Sequence, residues 1–167
     1  MPDTTETRPL YERDFYSWTR DQAARLRELR GVNTLDTAYL AEEIEDLGRE
    51  RRDAVQSNIE RFLEHLVKLA ASPSDPPRGL WRREARAFAG NARRKFSPGM
   101  RQHLDLADAW SQAVAMARDE LSDYGERLGP AQAHCPLGLD EILDGELDLD
   151  RAVTRVAAAF GPDAAHP

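Results

Sequence analysis

Cysteine is almost absent from this chain: Cys135 stands alone, so no internal disulfide can form and 167 residues must be held together by an ordinary core. Long apolar runs are absent too. The greasiest stretches are broken by charges every three or four residues, far short of the roughly 20 continuous apolar residues that a bilayer span requires, so no membrane span is expected. The N-terminal stretch does not pair a basic start with an apolar run as a secretory signal does, and the expected location is cytoplasmic. Two-residue alternation is nowhere sustained, which leaves no segment reading as a strand, and no repeat recurs at 20 to 50 residues.

What is present is charge. The formal net charge is -7, which disfavours non-specific binding to nucleic acid by the molecule as a whole. Its distribution is uneven. Between Arg78 and Arg101 the cations Arg82, Arg83, Arg86, Arg93, Arg94 and Lys95 face a single anion, Glu84, whereas Asp105 to Asp150 is strongly acidic with only Arg118 and Arg127 against it.

Apolar spacing of three and four residues predicts an all-α protein. A first helix is expected over Glu12 to Arg30, with Phe15, Trp18, Leu26 and Leu29 on its inner side and Gly31 as its stop. A long second helix opens at Asp36 as N-cap and runs to Ala71 on the stripe Leu40, Ile44, Leu47, Val55, Ile59, Phe62, Leu66 and Leu69, with Gly48 as its weak point, since a mid-helix glycine costs about 1 kcal/mol relative to alanine. The proline-rich Ser72 to Gly79 reads as a tight connection. A third helix carries Trp81, Ala85, Phe88, Ala92 and Phe96. A fourth opens at Ser97-Pro98 and reaches about Tyr124 on Met100, Leu104, Ala107, Trp110, Val114, Ala117 and Leu121. A short turn over Leu139 to Leu143 and an amphipathic segment with Val153, Val156, Ala157 and Phe160 follow. The expectation is a helical bundle of four main helices plus short C-terminal helices, organised as a mobile segment over 1–10, a bundle domain over 11–145 and a C-terminal amphipathic extension over 146–167.

Four runs in the same order, Tyr11-Glu-Arg-Asp-Phe-Tyr-Ser-Trp18, Leu40-Ala-Glu-Glu-Ile-Glu-Asp-Leu-Gly-Arg49, His65-Leu-Val-Lys68 and Cys135-Pro-Leu-Gly-Leu-Asp-Glu-Ile-Leu-Asp144, resemble the bacterial domain-of-unknown-function family twenty-nine. The resemblance covers about residues 10 to 145 and departs from the family pattern around Ala70 to Gly79. The tail after Gly145 reads as an addition. It implies an all-helical fold and a bacterial origin, and it supplies no catalytic residues.

The chemistry-bearing residues are few. Glu42, Glu43, Glu45 and Asp46 suggest a carboxylate site with His65, but Glu43 and His65 lie roughly 33 Å apart on a continuous helix at about 1.5 Å per residue. No Glu-x-x-His pair occurs, and His103, His134 and Cys135 lack ligand spacing, so neither a metal nor a cofactor is expected. Cys135 precedes proline with no neighbouring catalytic arrangement and reads as a small, half-buried hydrophobe. Arg51 falls within the apolar stripe of the second helix. It reads either as an anion anchor or as the partner of a carboxylate such as Asp14 or Glu12. Arg82, Arg83, Arg86, Arg93 and Arg94 share one side of the third helix, which suits phosphates, an acidic partner or an acidic face of the chain itself.

No catalytic residue is identified. The leading expectation is a non-enzymatic module for protein–protein interaction or self-association, because the long second helix extends beyond what a small bundle covers. The alternatives are a basic-helix nucleic-acid binder and an enzyme or small-molecule binder with an inter-helix pocket near Arg51 or His65.

Overall fold

The computed structural model describes residues 8–30, 34–72 and 77–160. Gly31, the proline-rich stretch 73–76, most of the lead-in over 1–10 and the tail after 160 lie outside the described residues. The order of elements is α1 (Leu10–Arg13), α2 (Phe15–Glu28), α3 (Thr37–Ala71), α4 (Pro77–Lys95), a 3-10 helix (Pro98–His103), α5 (Leu106–Asp123), α6 (Leu139–Leu143) and α7 (Leu149–Ala158). Among the described residues there is no strand; a lone antiparallel bridge joins Ala131 and Phe160. No helix among them is long and apolar enough to cross a membrane.

The described chain divides into two compact units, one within Met1–Ala54 with Lys95–Leu104, the other within Val55–Arg94 with Asp105–Pro167. In the first unit, the expected single helix over Glu12 to Arg30 is two helices, α1 and α2, parted at Asp14. Asp14 has non-helical backbone angles because it caps α2: its carboxylate accepts from Ser17 N at 3.1 Å and Ser17 Oγ at 2.7 Å, and from Gly99 N in the 3-10 helix at 2.8 Å. The buried side of α2 is also not the expected one. Tyr16, Thr19 and Ala23 are buried, while Phe15 and Trp18 are half-buried and stack with each other, and Leu29 is exposed.

At Gly48, α2 lies close against α3. A Cβ there would run into the Thr19 hydroxyl and lie 3.3 Å from Thr19 Cβ. The residue therefore serves close packing, and α3 continues through it as one helix of 35 residues, about 52 Å at 1.5 Å per residue. Asp36 takes the expected N-cap place, with Oδ1 accepting from Tyr39 N at 3.2 Å.

The expected fourth helix starting at Ser97-Pro98 is interrupted. Pro98 to His103 forms a 3-10 helix, Leu104 is extended, and Asp105 restarts the α-helix by accepting from Asp108 N at 2.9 Å. Ser97 does not cap its own helix, because its hydroxyl takes the Tyr16 N–H at 3.2 Å.

The second unit owns the main core. Val55, Ile59, Phe62 and Leu66 of α3 are buried, as are Trp81, Ala85 and Ala92 of α4 and Trp110, Ala113 and Leu121 of α5. Trp110 Nε1 donates to the Gln132 carbonyl at 2.9 Å, so its polar edge is satisfied. Phe160 packs 6.1 Å from the Trp110 ring, which fastens the end of the described chain into this core. Arg78 donates to the carbonyls of Leu69 and Ser72, satisfying acceptors that the end of α3 leaves open.

Candidate functional site

Three charged or ionisable side chains interrupt the apolar run Phe62 to Leu69 on α3, and all three are buried: Glu64 and Lys68 at 2% exposure and His65 at 5%. Buried charge is costly unless it is paired, and here the partners come from three helices of the second unit. Glu64 Oε1 lies 3.2 Å from Lys68 Nζ, and Glu64 Oε2 accepts from Arg61 at 2.9 Å. Lys68 Nζ also donates to Glu120 of α5 at 2.7 Å and sits 5.4 Å from the Trp81 ring centroid of α4. Burial pushes the Glu64 carboxyl up, but the Arg61 hydrogen bond and the Lys68 and His65 charges outweigh it and hold its pKa below the usual glutamate range.

His65 Nδ1 is 2.7 Å from the Arg61 carbonyl and His65 Nε2 is 2.7 Å from Glu84 Oε2 of α4. Carbonyls and ionised carboxylates only accept, so both contacts are hydrogen bonds only when each ring nitrogen carries a proton. The Phe88 ring, 5.4 Å away, closes the other side. In this cluster each cation faces an anion. Among the described residues no group of three His, Cys, Asp or Glu side chains is placed to hold a metal ion.

The sequence-level candidates fall in separate places. Arg51 belongs to the first unit, where Nε donates to the Lys95 carbonyl at 2.9 Å and the guanidinium lies 4.8 Å from the Phe15 ring centroid. Asp14, expected as a partner for Arg51, directs its carboxylate to Ser17 and Gly99. In the second unit Arg82 pairs with Asp150 at 2.7 Å, a contact that raises the arginine's pKa and lowers that of the aspartate. Arg93 Nε donates to the Ile142 carbonyl at 2.8 Å, and Arg94 bonds Asn91. Arg83 and Arg86 are exposed. The five arginines of the basic side thus divide between internal contacts and the surface. Cys135 is half-buried, and burial pushes its thiol up to about 11.

A second feature lies on the first half of α3. The apolar stripe that continues into the core from Val55 onward is only partly covered before it: Ala41 is buried and Ile44 half-buried, but Tyr39 is 68% exposed, Leu40 41% and Leu47 52%. Asp36, Leu40, Glu43, Leu47 and Glu50, spaced four and three apart, put two leucines and three exposed carboxylates on one face, with Tyr39 beside them. Periodicity found this stripe. That Leu40 and Leu47 in its first half lack a cover is a property of the packing.

Sequence reasoning named His65 and missed Glu64, Lys68, Glu84 and Glu120. The available signal was the three ionisable residues inside an otherwise apolar run, with Glu64 and Lys68 at i,i+4.

No curated protein matches the chain. Among solved structures it is similar to an alpha-helical protein of unknown function from Rhodospirillum rubrum, with a TM-score of 0.82 and 28% identity over 89% of this chain and 98% of that one. The family model described as "Domain of unknown function DUF29" matches residues 10–147, from the start of α1 to beyond α6. With most of its length matched, and with the four sequence runs lying inside the matched segment, this chain belongs to the DUF29 family.

Proposed function

We propose that this protein is a non-enzymatic helical module for protein–protein interaction that acts by self-association through the first half of α3. The observation that carries this reading is the exposure of Leu40 and Leu47 on one face of α3, with Tyr39 beside them, on a helix whose later apolar residues Val55, Ile59, Phe62, Leu66 and Leu69 are buried. Burying such side chains stabilises by about 1.5–3 kcal/mol each, and a contiguous exposed set marks a contact surface. The ionic cluster on α3 supports the same reading from the other side, since its charges answer one another and hold α3, α4 and α5 together.

Sedimentation velocity over a concentration series tests it. The wild-type chain is expected to shift from monomer to dimer or higher species as concentration rises, and Leu40→Ser with Leu47→Ser to weaken that association about tenfold or more. A strict monomer at high concentration, or association untouched by the double substitution, overturns the proposal.

A further inference from the structure

Resting on that self-association reading, the charges on the exposed faces identify what the α3 face meets. The face bears the carboxylates Asp36, Glu43 and Glu50 among its leucines, and all three are exposed. The nearest cation on that stretch, Arg49, is paired with Asp46. Two such faces laid against each other in register would bring like charges together, which disfavours a contact of the face with itself. The complement is a helix face with cations and a shallow apolar floor.

The chain contains one. On α4, Leu80, Arg83, Ala87, Gly90 and Arg94 are spaced three and four apart and define one face. Leu80 is 44% exposed, and Arg83 and Ala87 are exposed beside it. Arg86 is exposed on the flank. Ala87 and Gly90 leave room between the arginines, and a Cβ built on Gly90 meets only the end of Arg94, at 3.4 Å. Arg82 and Arg93, which point to Asp150 and to the Ile142 carbonyl, are not on this face.

We infer that the acidic, leucine-bearing face of α3 in one copy docks on the arginine face of α4 in a second copy, with Leu40 and Leu47 set against Leu80, Ala87 and Gly90 and with Glu43 and Glu50 facing Arg83 and Arg86. The contact is heterologous, acid face to basic face. Association through it weakens as salt is raised, because its charges are at the surface.

Charge reversal on the full-length chain tests the assignment. One variant carries Glu43→Arg with Glu50→Arg, the other Arg83→Glu with Arg86→Glu; circular dichroism and melting establish that each folds as the wild type does. Each variant alone is expected to self-associate at least about tenfold more weakly than wild type in sedimentation velocity. An equimolar mixture is expected to recover association, since the reversed α3 face of one then meets the reversed α4 face of the other. Reversals without effect, or a mixture that stays dissociated, overturn the assignment. If Leu40→Ser with Leu47→Ser abolishes association while the charge variants do not, the α3 face is retained as an interface and α4 is not its partner. A wild-type chain that is monomeric throughout removes both.

Discussion

Lys68 shows how far a single side chain can govern this molecule. Its ammonium is buried between Glu64 and Glu120 and lies near the Trp81 ring, and removing it leaves Glu64 buried with Arg61 as its remaining cationic hydrogen-bond donor. Lys68→Ala is therefore expected to destabilise by about 3–5 kcal/mol in denaturant titration, and the paired replacement Glu64→Gln with Lys68→Met by clearly less, since it removes both charges together. Gly48→Ala inverts the usual helix rule. In an exposed helix this change gains about 1 kcal/mol, but here the new methyl meets Thr19, so a loss of roughly 1–3 kcal/mol is expected in a melt. Adding Thr19→Ala should recover much of it; an unchanged deficit would sink the close-approach explanation. Cys135, with its thiol raised to about 11 by burial, is expected to react slowly with a thiol reagent at neutral pH and quickly once the chain is unfolded.

Among the elements, α2 starts at a residue that is also held by a distant partner. Asp14 ends α1, caps α2 through Ser17 and accepts from Gly99, 85 positions away in sequence, so this break joins a local cap to a tertiary contact. Burial pushes the Asp14 carboxyl up, yet the hydrogen bonds from Ser17, Ser97 and Gly99 outweigh it and leave its pKa below the usual aspartate range. A depressed folded value means that the stabilisation is present above the unfolded pKa, near 4, and is lost as pH falls through the folded one. Asp14→Ala is expected to cost about 1–2 kcal/mol at neutral pH and to flatten the acid limb of the stability profile; equal sensitivity of mutant and wild type at acid pH would contradict this. The helices themselves were legible because their apolar spacing is sustained over several turns. Their interruptions at Asp14 and at Leu104–Asp105 were not, because extended or capped single residues leave no periodic trace.

For the whole molecule, the decisive property is that one apolar stripe has two fates. Val55, Ile59, Phe62, Leu66 and Leu69 are buried in the second unit, whereas Leu40 and Leu47 of the same helix are left at the surface. A protein that shields this stripe with a second copy should have a concentration-dependent melting temperature, higher at high concentration, and differential scanning calorimetry at two concentrations a hundredfold apart checks it. Identical transitions at both would count against self-association.

The amino-acid sequence alone determined the helical class, the extent of α3, the N-cap at Asp36 and the family, because spacing and local motifs are written along the chain. Only the tertiary structure decided which part of the α3 stripe is covered, which arginines of α4 reach carboxylates or carbonyls, and that Glu64, His65 and Lys68 are interior. The physical reason is that burial and charge pairing depend on side chains brought together from remote positions, as Lys68 and Glu120 are across 52 residues, and periodicity along one helix does not report them.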